Sequence, residues 1–128
     1  MRTWLICIAL LVVGSVAGCT KLDTTSSFDV PMGGYSVTVD PIKSQQNIKV
    51  TGTATGASVN VYLYLNKNRT DAQKEILAKK LVSPFILAKV ETTDEFNLEA
   101  TIPANESAVV EVTRVNKAAK VNLHITNR

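Results

Sequence analysis

From residue 35 to residue 126 the chain is a succession of short runs in which apolar and polar residues alternate, separated by turn-forming residues. A period of two sends successive side chains to opposite faces of an extended strand, so each run describes a strand with one buried face and one wet face. Val59-Asn60-Val61-Tyr62-Leu63-Tyr64-Leu65 is the strongest of them, with Val59, Val61, Leu63 and Leu65 in one aliphatic row. Residues 47–55 place Ile48, Val50, Gly52 and Ala54 together, and residues 95–102 do the same for Phe96, Leu98, Ala100 and Ile102. Further runs cover residues 35–40, 85–90, 107–115 and 120–126. Thr55-Gly56-Ala57-Ser58 and Asn116-Lys117 read as hairpin turns, and Thr92-Thr93-Asp94 and Pro103-Ala104-Asn105-Glu106 as further turns. The pattern predicts an all-β chain, an antiparallel β-sandwich of about seven strands.

Residues 66–84 break the rhythm, and the spacing there predicts one short helix inserted after the third strand. Thr70 is placed as N-cap with Gln73 three residues on, the arrangement in which each side chain satisfies an unpaired backbone N–H. Ile76, Leu77 and Leu81 form an apolar stripe, Glu75 and Lys79 an i,i+4 pair, and Ser83-Pro84 a stop. Three turns of helix are not stable alone in water, so this one must pack on the sandwich.

Ahead of the strands lies a segment of another kind. Arg2 precedes an apolar run over residues 4–13 and a small-residue stretch, Gly14-Ser15-Val16-Ala17-Gly18, the layout of a secretory signal peptide. The run is about half the roughly 20 residues a bilayer-spanning helix requires. Val16-Ala17-Gly18-Cys19 resembles the lipobox of bacterial lipoproteins: an aliphatic residue three before the Cys, small residues between, then the Cys. The resemblance implies cleavage before Cys19 and acylation of its thiol and new amine; two or three acyl chains hold a protein stably on a membrane where one does not. Thr20 stands where an Asp would favour inner-membrane retention, so the implied address is the cell outer membrane, on its periplasmic face. The alternative is ordinary secretion with Cys19 left as a free thiol. The expected organisation is a cleaved signal peptide over residues 1–18, a lipidated Cys and flexible tether over 19–30, and the β-sandwich domain over 31–128.

The strand count and turns such as Ile102-Pro103-Ala104-Asn105 resemble the immunoglobulin-like and pre-peptidase-type β-sandwich modules of exported bacterial proteins. The implied architecture is immunoglobulin-like, without the paired Cys and core Trp of antibody domains. Trp4 and Cys7 both belong to the signal segment.

The formal charge is +3, and cleavage would remove Arg2 from it. That is far from the clustered positive surface that binds nucleic acid, so no nucleic-acid partner is expected. One His and two Cys in 128 residues leave too few ligands for a His- or Cys-based metal site, and no metal or other cofactor is expected. His124 alternates with Val121, Leu123 and Ile125 and reads as a surface residue. Glu91, Asp94 and Glu95 cluster at a turn, as solvated charges usually do, and Gly33-Gly34 lacks the Lys and Ser/Thr of a phosphate loop. No nucleophile-base pair emerges, and the expected function is a non-enzymatic structural or protein-interaction module at the cell envelope.

Two features are candidates for binding. Tyr62 and Tyr64 alternate with the aliphatic row and so share the opposite face; they form either an aromatic platform for peptidoglycan or surface glycan, or the surface that the following helix covers. Lys67, Arg69 and Lys74, with Lys79 and Lys80, give the inserted segment a positive surplus that either meets an anionic partner or is a solvated helix face.

Overall fold

A computed structural model describes residues 21–79 and 83–127. The expected signal segment, the expected lipidation residue Cys19, and Lys80 and Leu81 of the expected helix lie outside the described residues. Among the described residues eight strands form: β1 (Asp23–Asp29), β2 (Tyr35–Val39), β3 (Gln46–Thr55), β4 (Val59–Leu65), β5 (Ala88–Thr93), β6 (Glu95–Ile102), β7 (Ala108–Arg114) and β8 (Lys120–Asn127). The helix α1 (Arg69–Leu77) follows a single 3-10 turn at Asn66–Asn68.

The strands make two four-stranded antiparallel sheets, in the orders β1-β8-β3-β6 and β2-β7-β4-β5. The first strand pairs with the last, the second with the seventh, the third with the sixth and the fourth with the fifth. This is a long antiparallel ribbon rolled up so that β8 meets β3 and β7 meets β4. Eight strands rolled in this way are a jelly roll, and the order differs from the immunoglobulin arrangement.

Three sequence expectations change with that topology. Residues 47–55 and 59–65 do not form a hairpin, because β3 and β4 lie in opposite sheets; β7 and β8 are likewise separated. Their aliphatic rows face one another across the core, and the short turn is an arch between layers. Alternation specifies which face of a strand is buried and leaves its partner open. The eighth strand comes from the expected tether: β1 occupies residues 23–29, with seven register pairs to β8 from Asp23↔Thr126 to Asp29↔Lys120. Its half-buried positions are Thr24, Ser26 and Phe28, so only one inward side chain is strongly apolar. Residues 83–87, expected to open a strand at Phe85, are not strand, and β5 starts at Ala88.

The core between the sheets is built from the inward rows, including Val59, Val61, Leu63, Val110, Val112, Leu123 and Ile125, all essentially inaccessible. Gly52, half-buried, lies on the inward row of β3 at the margin of this core. A Cβ there would lie 2.3 Å from the Asn122 carbonyl oxygen and 2.6 Å from Cζ of Phe96, the residue opposite it on β6. The aromatic ring occupies the space that a side chain on β3 would need.

The loops sort to two ends. The start of β1, the end of β8 and the loops over residues 40–45, 66–68 and 103–107 share one end, tied by Leu22 N–H donating to Asn127 Oδ1 at 2.7 Å and Asn66 N–H to the Ser107 carbonyl at 2.9 Å. The β1–β2 turn, Gly56, the end of β5 and the β7–β8 connection share the other.

Candidate functional site

The outer face of the β2-β7-β4-β5 sheet carries a second, smaller apolar cluster of Tyr62, Tyr64, Val109 and Ala72, with Ile76, Phe85 and Ile86 packed against it. Tyr62 and Tyr64 point away from the main core, as the alternation requires. The helix covers them: Tyr62 is 3% exposed and Tyr64 0%, and Ala72 of α1 is buried over this face. Stacking on a sugar ring requires an open aromatic face. The rings are therefore the seat of the inserted helix, and the aromatic-platform reading loses its physical basis.

The helix itself departs from expectation at both ends. Asn68 is its N-cap residue, with no side-chain cap, and Thr70 lies inside the first turn. Gln73 turns inward, and its Nε2 donates to Oε1 of Glu111 at 3.3 Å. Leu77 points to solvent, 83% exposed. The helix ends at Leu77, and Lys79, with a φ of 55° and its N–H donated to the Ile76 carbonyl at 3.1 Å, closes a left-handed C-terminal turn just beyond it.

Beneath α1 the two phenols end on two carboxylates. Tyr64 donates its O–H to Glu111 Oε1 at 2.5 Å, and Tyr62 donates to Glu91 Oε2 at 2.8 Å. Burial, then the bond to the carboxylate, pushes each phenol well above its ordinary pKa. Lys89 Nζ lies 3.8 Å from the other oxygen of Glu91. Glu111 is only 8% exposed and receives two neutral donors. Among the described residues no cation stands within ion-pair distance of it.

Between the C-terminal half of α1 and the ends of β4, β5 and β7 runs an open groove of about 800 Å³. Its floor holds Tyr62, Glu91 and Glu111, and its walls carry Ile76 and Leu77 from α1 and Met32 from the β1–β2 turn. Met32 is 88% exposed, so with Leu77 it presents two large apolar side chains at the groove's edge. Lys79 and Arg114 stand at the rim; Arg114 Nε donates to the Val30 carbonyl at 2.9 Å.

The basic residues of the inserted segment do not converge. Lys67 pairs with Glu106 at 3.3 Å, Arg69 Nε donates to Asn66 Oδ1 at 3.3 Å, and Lys74 is exposed on the helix. Arg69 also acts electrostatically on the Tyr64 phenol, opposing its upward shift. The carboxylates near residue 94 are divided between layers, Glu91 on β5 and Glu95 on β6. His124 is exposed on β8 and contacts Asp23 of β1 at 2.6 Å. No group of three His, Cys, Asp or Glu suited to a metal occurs among the described residues. Sequence reasoning missed Glu111, Gln73 and Met32; the signal for the first was present, a lone carboxylate inside the aliphatic run Val109-Val110-Glu111-Val112.

The fold and the covered sheet define a jelly-roll β-sandwich with one helix laid on an outer face. No protein-family model matches the chain, and no curated protein does. Among solved structures it is similar to the Yersinia pseudotuberculosis-derived mitogen, at a TM-score of 0.56 and 10% identity over 83% of this chain and 86% of that one. It is also similar to PliG of Aeromonas hydrophila, a periplasmic inhibitor of g-type lysozyme, at 0.45 and 12% over 91% and 93%. At these identities the likeness to the mitogen is one of fold alone.

Proposed function

We propose that the chain is an exported bacterial lipoprotein, anchored through lipid on Cys19 to the outer membrane on its periplasmic face. Its β-sandwich then serves as a non-enzymatic interaction module of the cell envelope. The observation that carries this reading is the spacing between the lipobox and the domain. Cys19 lies four residues before Asp23, where β1 begins, a reach of at most about 14 Å of extended chain. In this reading the lipid attaches almost directly to the end of the sandwich where β1 starts and β8 ends. The domain would be held close to the bilayer in a restricted orientation, with the groove beside α1 at the opposite end, facing away from the membrane.

Metabolic labelling with an alkyne fatty acid, followed by intact mass of the purified chain, tests the anchor. The expected product begins at an acylated Cys19, and Cys19→Ser abolishes labelling. A chain that begins elsewhere, or an unmodified Cys19, overturns the proposal.

A further inference from the structure

We propose that the groove between α1 and the ends of β4, β5 and β7 receives a single basic side chain, lysine or arginine, from a protein partner. The inference rests on the envelope-module reading for where the partner is met, and on the groove alone for what is recognised.

Glu111 is the main support. It is more than nine-tenths buried and lines the groove, yet its charge is met only by neutral donors, the Tyr64 phenol and the Gln73 amide, both on Oε1. Oε2 receives no hydrogen bond from any described residue. Oε2 is therefore open to the groove rather than sealed beneath it, and a charged donor arriving there makes a stronger contact than a neutral one does. Glu91 adds a second carboxylate, held by the Tyr62 phenol at 2.8 Å and already approached by Lys89 Nζ at 3.8 Å, so it supports the contact and Glu111 provides the open one. The walls match the rest of the proposed side chain. Lysine and arginine carry an apolar stem behind the charged head, and Ile76, Leu77 and Met32 offer the apolar surface on which such a stem lies. The exposure of Met32 and Leu77, 88% and 83%, is the kind of surface that a partner covers. Lys79 and Arg114 at the rim repel further positive charge. The groove thus selects one basic residue among neutral or acidic neighbours and disfavours a polybasic segment.

The test uses the isotope-labelled full chain in detergent micelles and the probe peptide acetyl-Glu-Leu-Arg-Leu-amide. Addition of the peptide is expected to move the amide resonances of Gln73, Thr92 and Thr113. Replacing its arginine by citrulline, equal in shape but uncharged, is expected to weaken binding about tenfold, the effect of losing one charge-assisted contact. Glu91→Gln, at an accessible position, should weaken it several-fold with the fold intact, as should Met32→Ser with Leu77→Ser; Glu111→Gln should weaken it most. Equal binding of the citrulline peptide, shifts confined to another face, or no shifts at all would each overturn the proposal. Cys19→Ser should bind the peptide as well as the unaltered chain does. Loss of the lipid anchor and loss of groove binding are therefore separate outcomes.

Discussion

Tyr64 on β4 and Glu111 on β7 are joined by a 2.5 Å hydrogen bond beneath α1, with Tyr64 wholly buried and Glu111 nearly so. The inserted helix therefore rests on a polar contact set into an apolar surface. Removing one member of such a pair leaves the other buried without its partner, which costs about 1–3 kcal/mol. Tyr64→Phe is expected to lower unfolding stability by that amount in urea. The double variant Tyr64→Phe with Glu111→Leu should recover part of the loss, because both polar groups are then gone. Simple additivity of the two single effects would show that the residues are not coupled.

The same phenols predict an alkaline limit to stability. Tyr62 and Tyr64 hold their protons more tightly folded than unfolded, because burial and the neighbouring carboxylates raise both phenols. Their contribution is complete below the ordinary phenol pKa of about 10 and declines as pH rises through and beyond it, by up to about 1.4 kcal/mol per pH unit for each phenol. Chemical denaturation at a series of pH values from 8 to 12 should show the decline. Tyr62→Phe with Tyr64→Phe should flatten it.

Gly52→Ala is expected to destabilise by about 1–3 kcal/mol or more, the range for overpacking a filled core. The added methyl meets the Asn122 carbonyl oxygen at 2.3 Å, which is backbone within the sheet and has no room to retreat, as well as the Phe96 ring. A thermal midpoint equal to that of the unaltered chain would contradict this account.

A chain starting at Pro31 separates a strand from a tether. Loss of β1 uncovers the edge of β8 along seven register pairs and removes Phe28, whose ring stacks on Tyr35 at a centroid distance of 4.1 Å. The truncated chain is expected to unfold at markedly lower denaturant than the chain starting at Cys19. Equal midpoints would restore the tether reading.

Ala72→Lys should release α1 from the sheet, since Ala72 is fully buried against the tyrosines, whereas Leu77→Ser should change stability by no more than about 0.5 kcal/mol. Near-ultraviolet circular dichroism of Tyr62 and Tyr64 reports the release directly.

Which side of each strand is buried was legible in the alternation: Val59, Val61, Leu63 and Leu65 face the core, and Tyr62 and Tyr64 face the helix. Strand partners were not, because a period of two is the same in an arch between sheets and in a hairpin within one. β1 escaped notice because Thr24 and Ser26 fill inward positions at the edge of a sheet, where burial is partial and small polar side chains suffice. The site was legible in pieces. The helix and the two phenols could be placed beside one another, but the carboxylates they meet come from β5 and β7, and only the rolled topology brings those strands to the two sides of β4.

Pairing β1 with β8 has a consequence for the order in which the fold closes. Asp23 meets Thr126, so the β1-β8-β3-β6 sheet cannot be completed until the chain through residue 126 is available. Nested pairings of such wide sequence separation close slowly. If the chain is exported as proposed, threading from its N-terminus would present β1 long before β8 arrives. The roll would tighten only on the far side, once the last strand had come through.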